Sequence, residues 1–117
     1  MTVMRENDEK LIEALMEIVE NTQQGWDIND IEQFSNDFSD EMKEETAPED
    51  FKEHRDYLYP ILGNHVGLSF LALHRNPVGM VLILTMTCEK REAPVLLVYD
   101  FEENDKGFAI VNADIHA

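Results

Sequence analysis

Cysteine is almost absent: Cys88 stands alone among 117 residues. It has no second thiol to pair with, and its neighbours Met86 and Thr87 give no metal-ligand spacing, so neither a disulfide nor a metal site is expected. Basic residues are also scarce, with 9 Lys and Arg against 25 Asp and Glu and a formal net charge of −16. Such a chain repels nucleic acid and anionic membrane surfaces. No apolar stretch approaches the roughly 20 residues that a membrane-crossing helix needs, and the run from Val78 to Leu84 is short and strand-like. Met1 to Glu9 lacks the apolar stretch of a signal peptide, which makes a cytoplasmic protein the expectation. No glycine-rich phosphate loop, internal repeat or low-complexity linker is present.

What the chain does have is enough apolar residue for one core. A hydrophobic fraction of 44% is ordinary for a globular protein, and the length suits one domain. Residues 1–117 are therefore read as a single α+β domain, helical over 1–62 and an antiparallel sheet over 63–117. Charge divides at the same place: residues 1–62 carry 18 acids and 5 bases, and residues 63–117 carry 7 and 4. Acidic helix faces keep a protein in solution, and they would also speed encounter with a basic partner.

The helical half shows three apolar stripes. Leu11, Ile12, Leu15, Met16, Ile18 and Val19 recur at helical spacing against Glu9, Glu13, Glu17 and Glu20, which predicts an amphipathic helix ending before Gly25. Trp26 is placed at a turn, with Asp27 or Asn29 capping the next helix. Ile28, Ile31, Phe34, Phe38 and Met42 form a second stripe, on one helix or on two short ones meeting near Ser35 to Ser39. Thr46-Ala47-Pro48-Glu49 reads as a capping box, and Gly63 as the stop of a third helix that buries Phe51, His54 or Arg55, Leu58, Ile61 and Leu62. Pro60 is expected to bend or end it.

After Gly63 the apolar period changes to two. Val66 to Arg75, Gly79 to Cys88, Pro94 to Phe101 and Gly107 to His116 are predicted strands, joined by turn-forming segments into a four-stranded antiparallel meander. Both faces are apolar: Met80, Leu82, Leu84 and Met86 oppose Val81 and Ile83, and Val95, Leu97, Tyr99 and Phe101 oppose Leu96 and Val98. One face takes the helices, and the other calls for a further layer or a second subunit.

Three helices followed by a long antiparallel meander resemble the nuclear transport factor 2-like superfamily, the cystatin-like α+β cone. The likeness rests on the Trp26 turn, the Phe34 and Phe38 stripe, the segment Phe51 to Gly63 with Tyr57 and Leu58, and the last strand, Gly107 to Asp114. It spans nearly the whole chain but lies in element order and apolar pattern. It implies an apolar pocket between helices and the concave face of a curved sheet, and pairing of subunits through the outer face. The short strand that cone folds often carry among their helices is not found in this sequence. Trp26, Phe34, Phe38, His54, Tyr57, Leu58 and Tyr99 are the residues expected to line the pocket.

The resemblance extends to isomerases and cyclase-like enzymes that work with Asp, His and Tyr. Asp114, between Ala113 and Ile115 in the last strand, is the one candidate base: in an apolar cavity its pKa would rise. Against this stands its ordinary reading as a strand-end residue in water. Asp100 is read as a turn residue, and His65, His74 and His116 as strand-end histidines with no carboxylate or cysteine at ligand spacing. Lys90 and Arg91 could lower the pKa of Cys88, but a small apolar side chain at a strand end is its plainer reading. The leading expectation is a non-enzymatic, cofactor-free homodimer that holds a small apolar ligand or contacts a protein. An isomerase or cyclase using Asp114, and an acidic adaptor or immunity-type protein docking on a basic partner, are the alternatives.

Overall fold

The computed structural model describes residues 6–105 and 107–116. Met1 to Arg5, and Lys106 of the last predicted turn, lie outside the described residues. Helix α1, Glu6–Asp27, buries Ile12, Leu15, Val19, Thr22 and Gln23 along one stripe and leaves Glu13, Glu17 and Glu20 outside. It runs through Gly25 where the sequence suggested a stop, carrying Trp26 in its last turn. The glycine serves close packing: a Cβ there would lie 2.4 Å from the backbone nitrogen of Phe34. The cap of the next element is Asp30, whose carboxylate accepts from the amides of Glu32 and Gln33. Neither Asp27 nor Asn29 takes that role.

The second apolar stripe is two helices, α2 (Ile31–Ser35) and α3 (Asp40–Glu45). Between them the chain is pulled onto the sheet. Ser39 N–H donates to the Ile110 carbonyl and Ile110 N–H to that of Asp37, both at 2.8 Å, as a single parallel bridge between Phe38 and Ile110. A minimal strand therefore does occur among the helices, too short for an alternating pattern to reveal. Thr46 does not open the following helix. Its hydroxyl closes α3 on the Met42 carbonyl, and α4 (Pro48–Leu62) starts at Ala47 with Pro48 in the first turn. Pro60 is accommodated inside α4, and Gly63 ends it at a φ of 72°.

Strands β1 (His65–Asn76), β2 (Gly79–Cys88), β3 (Arg91–Asn104) and β4 (Gly107–His116) form the expected meander in the order β1-β2-β3-β4, every neighbour antiparallel and the sheet not closed. Register slips at His65/Gly67, Phe70/Ala72, Met86/Cys88 and Asp100/Phe101, irregularities of the kind that bend and twist strands. Asp100 is not in a turn: it lies within β3, opposite Val81 and Asn112.

Leu15, Val19 and Leu62 of the helices meet Leu82, Leu84, Met86, Val95, Leu97 and Phe101 of the sheet in one core. The molecule is only 18 Å deep along its shortest axis, room for a helix layer over a sheet. No described helix is long and apolar enough to cross a membrane.

Candidate functional site

A cleft of about 150 Å³ lies where the end of α1, α2, α4 and the sheet come together. Its walls are chiefly apolar. Trp26 and Phe34 stand with ring centres 5.7 Å apart, with Phe51 behind both. Leu58 and Leu62 of α4, Met86 and Cys88 of β2, Leu97 of β3 and Ala113 and Ile115 of β4 complete them. The core-facing register makes this wall: Leu97 pairs with Ile115 and Tyr99 with Ala113.

Five of the seven residues expected at the pocket are there: Trp26, Phe34, His54, Leu58 and Tyr99. The other two are elsewhere. Phe38 is 4% exposed and packs in the core against Phe34 near the Ile110 bridge. Tyr57 is 71% exposed, because α4 turns its 54, 58 and 62 positions towards the cleft and 57 falls on the solvent side.

Three polar features surround the cleft. Deepest is Tyr99, 2% exposed, whose phenolic oxygen accepts from Gln23 Nε2 at 2.6 Å. Burial pushes its pKa far up, against a small opposing effect of the Gln23 bond, so it is a neutral hydroxyl at any physiological pH. At one rim, His65 is gripped by two carboxylates of α1: Nδ1 faces Asp27 Oδ2 at 2.5 Å and Nε2 faces Glu20 Oε1 at 2.7 Å, while its backbone N–H donates to Asp27 Oδ1. Burial lowers the imidazole pKa, but the bonds to Glu20 and Asp27 and their charges outweigh it and raise the value overall. The third feature closes α1. Arg55 of α4 donates to the Trp26 and Asp27 carbonyls at 2.7 and 2.9 Å and stacks on the Tyr59 ring. It satisfies helix-end acceptors for which α1 has no basic residue of its own.

Cys88, His65 and Asp27 all line the cleft, and the first two are direct partners in the β1–β2 register. They do not make a nucleophilic set. Both His65 nitrogens are committed to carboxylates, and Cys88 is held protonated by burial and by the Asp27 charge, with Arg91 opposing more weakly. The basic residues near Cys88 in sequence thus do not activate it. Asp114 fails as a base for a different reason. It reaches the cleft's edge between Ala113 and Ile115, yet its carboxylate is exposed, accepts from Asn112 Nδ2 at 3.0 Å, and shares the outer-face register with Val98. Among the described residues no cluster of His, Cys, Asp and Glu could hold a metal ion.

Sequence reasoning missed Gln23, Asp27 and His65. Gln23 carried a signal, since it sits four residues after Val19 on the buried stripe of α1. The His65 cluster carried none, because its partners are 38 and 45 residues away.

No protein-family model and no curated protein matches the chain. Among solved structures, Bd1075 from Bdellovibrio bacteriovorus is similar, with a TM-score of 0.58 over 97% of this chain at 13% identity. At that identity the likeness shows the fold alone. This chain spans 43% of the Bd1075 chain.

Proposed function

We propose that the protein is a non-catalytic binding protein of the nuclear transport factor 2-like kind, which takes one small, mainly apolar molecule into the cleft between its helices and its sheet. One observation carries this reading: the cleft offers aromatic and aliphatic walls, while His65 and Asp27 are engaged with each other and Tyr99 and Cys88 are held in their neutral form. A pocket of convergent apolar surface with a few placed polar groups suits recognition. An isomerase-type reaction would need a base reaching into the cleft, and the Asp114 carboxylate stands exposed at the cleft's edge, where it accepts from Asn112.

The size of the cleft limits the ligand. A cavity of about 150 Å³ matches one that accepts benzene, so the fit is to roughly one ring. Titration of ¹⁵N-labelled protein with toluene and with indole should shift the Trp26 indole and the Leu97 and Ala113 amides in a saturable way. Ala113→Phe, which fills the cleft, should abolish those shifts. Absence of saturable shifts at millimolar probe would remove the proposal.

A second copy of the chain is proposed for the outer sheet face. Val81, Ile83, Leu96 and Val98 form an aliphatic patch on the two central strands, flanked by Ala72 of β1, and the helices lie on the opposite face. Light scattering at rising concentration should show a dimer, and Ile83→Lys a monomer. A wild-type monomer at high concentration would remove this part.

A further inference from the structure

We infer that His65 is a proton-operated latch on the cleft: with hydrogen on both ring nitrogens it pins the last two turns of α1 to the start of β1, and on losing one it lets them rock and weakens the hold on a bound molecule. Its ligand half rests on the reading of the cleft as a binding site, and the latch itself does not.

One imidazole faces two carboxylates, Asp27 at 2.5 Å from Nδ1 and Glu20 at 2.7 Å from Nε2. The two acids stand about two turns apart on α1. Between them the helix carries Gln23 and Trp26, both part of the cleft wall, and His65 and Asp27 line the cleft themselves. A protonated imidazole has an N–H for each carboxylate, whereas a neutral one has a single N–H. The two acids differ in their freedom to respond. Asp27 has only 12% of its side chain exposed and also accepts the His65 backbone N–H at 3.1 Å. Glu20 is 56% exposed and has no other partner among the described residues. On deprotonation the remaining N–H therefore stays with Asp27, Nε2 turns a lone pair towards the Glu20 carboxylate, and Glu20 swings into water. A two-point hold on α1 becomes a one-point hold. Arg55 keeps the Trp26 and Asp27 carbonyls, so the helix end is loosened and not released.

Among the described residues no other group competes for the ring. Cys88, its register partner on β2, is held protonated by burial and by the Asp27 charge. In the β2–β3 turn, Glu89 accepts the Asn64 N–H and Lys90 lies over Gly63, while Arg91 of β3 faces Cys88 in the register. His54 of α4 and Asp114 of β4 line the same cleft without bonding the imidazole. Burial lowers the ring's pKa, and Glu20 and Asp27 act against it and raise the value overall above 6.5. The latch therefore opens on the alkaline side of that value. A wall that rocks is less preorganised for its ligand and binds it more weakly.

Trp26 is the chain's only tryptophan, so 5-fluorotryptophan labelling gives one ¹⁹F signal from the cleft wall. In the free protein its relaxation dispersion, a measure of microsecond-to-millisecond motion, should be weak at pH about 5.5, where Asp and Glu are ionised, and strong at about 8.5. Affinity for toluene should fall by roughly fivefold between the same two conditions, the low end of coupling between sites. By reciprocity, saturating toluene should move the His65 titration midpoint up by the matching roughly 0.7 pH unit. Glu20→Gln should abolish all three effects and keep the latch shut, because its amide offers an N–H to the neutral ring and an oxygen to the charged one. Glu20→Ala should leave it open, with motion and weak binding already present at the lower pH. The exposure of Glu20 lets both variants fold. Equal motion of Trp26 at the two pH values, equal toluene affinity, or a pH dependence that survives Glu20→Gln and so belongs to another group such as His54, would overturn the inference. Failure of toluene to bind at either pH, with the pH-dependent motion intact, would remove the binding-site reading and leave the latch standing.

Discussion

The two faces of the central strands are built from nearly the same residues and live in different surroundings. Leu82, Leu84, Leu97 and Tyr99 are at most 2% exposed. One position along, Val81, Ile83, Leu96 and Val98 are half-buried. Since side chains alternate along a strand, each set is mainly aliphatic and as well paired with its neighbours as the other. What separates them is the layer opposite: helices on the first face, and no element of this helix layer on the second. Apolar alternation thus marks a strand as central without saying which side of it is core.

The largest expected contrast lies between adjacent residues. Leu84→Ala should cost about 3 kcal/mol in urea unfolding, as large cavities in enclosed cores do, and Ile83→Ala about 1 kcal/mol or less. If two copies share the outer face, the Ile83 loss should grow with protein concentration, as linkage to assembly requires. A loss at Ile83 as large as at Leu84, independent of concentration, would mean that something in this chain covers the outer face.

A smaller contrast is expected between two glycines. Gly25→Ala puts a carbon against the Phe34 backbone at the α1–α2 junction and should cost about 1–3 kcal/mol by overpacking, where an open helical glycine would gain about 1 kcal/mol from alanine. Gly67→Ala on the outer register meets only Thr87 Oγ1 at 3.5 Å, so its melting temperature should barely move. Equal effects at the two sites would show that the helix junction can relax.

The smallest effect is one of pH. The folded pKa of His65 lies above its ordinary value of 6.5, so the folded state holds its proton more tightly than the unfolded chain. Its contribution is complete below 6.5, and is lost as pH rises through the raised folded value. The cause is geometric: a neutral imidazole has one N–H for two carboxylates. Thermal melts of wild type should therefore decline over that range while His65→Gln stays flatter, and the His65 ring signals in NMR should titrate above 6.5. A titration below 6.5 would mean that burial, not Glu20 and Asp27, dominates the site.

Much of this architecture was legible in the chain. The four strands, α4 and its stop at Gly63 follow from apolar period and from glycine and proline placement, and the strand ends differ by a few residues because edges of a ladder carry weak patterns. Of the five pocket residues, Phe34, Leu58 and Tyr99 were legible as apolar or aromatic positions on inward stripes, whereas Trp26 was placed at a turn and His54 stands one turn before Leu58 on α4. Tyr57 was misplaced because a residue at the border of a stripe can face either way, and Phe38 because an aromatic near a pocket can also be plain core. The bridge at Phe38 and the grip on His65 were not legible, since each joins groups far apart in sequence through geometry that no local pattern encodes.

Local periodicity and charge, then, decided that this is a helical, acidic half followed by an antiparallel sheet, because secondary structure and burial propensity are short-range properties read along one stretch of chain. The tertiary structure alone decided which face of the sheet became core, that Tyr99 would meet Gln23, and that His65 would be spent between Glu20 and Asp27. Those outcomes depend on how elements dock. Distances of 2.5 to 2.7 Å between residues tens of positions apart are set by the packing of layers.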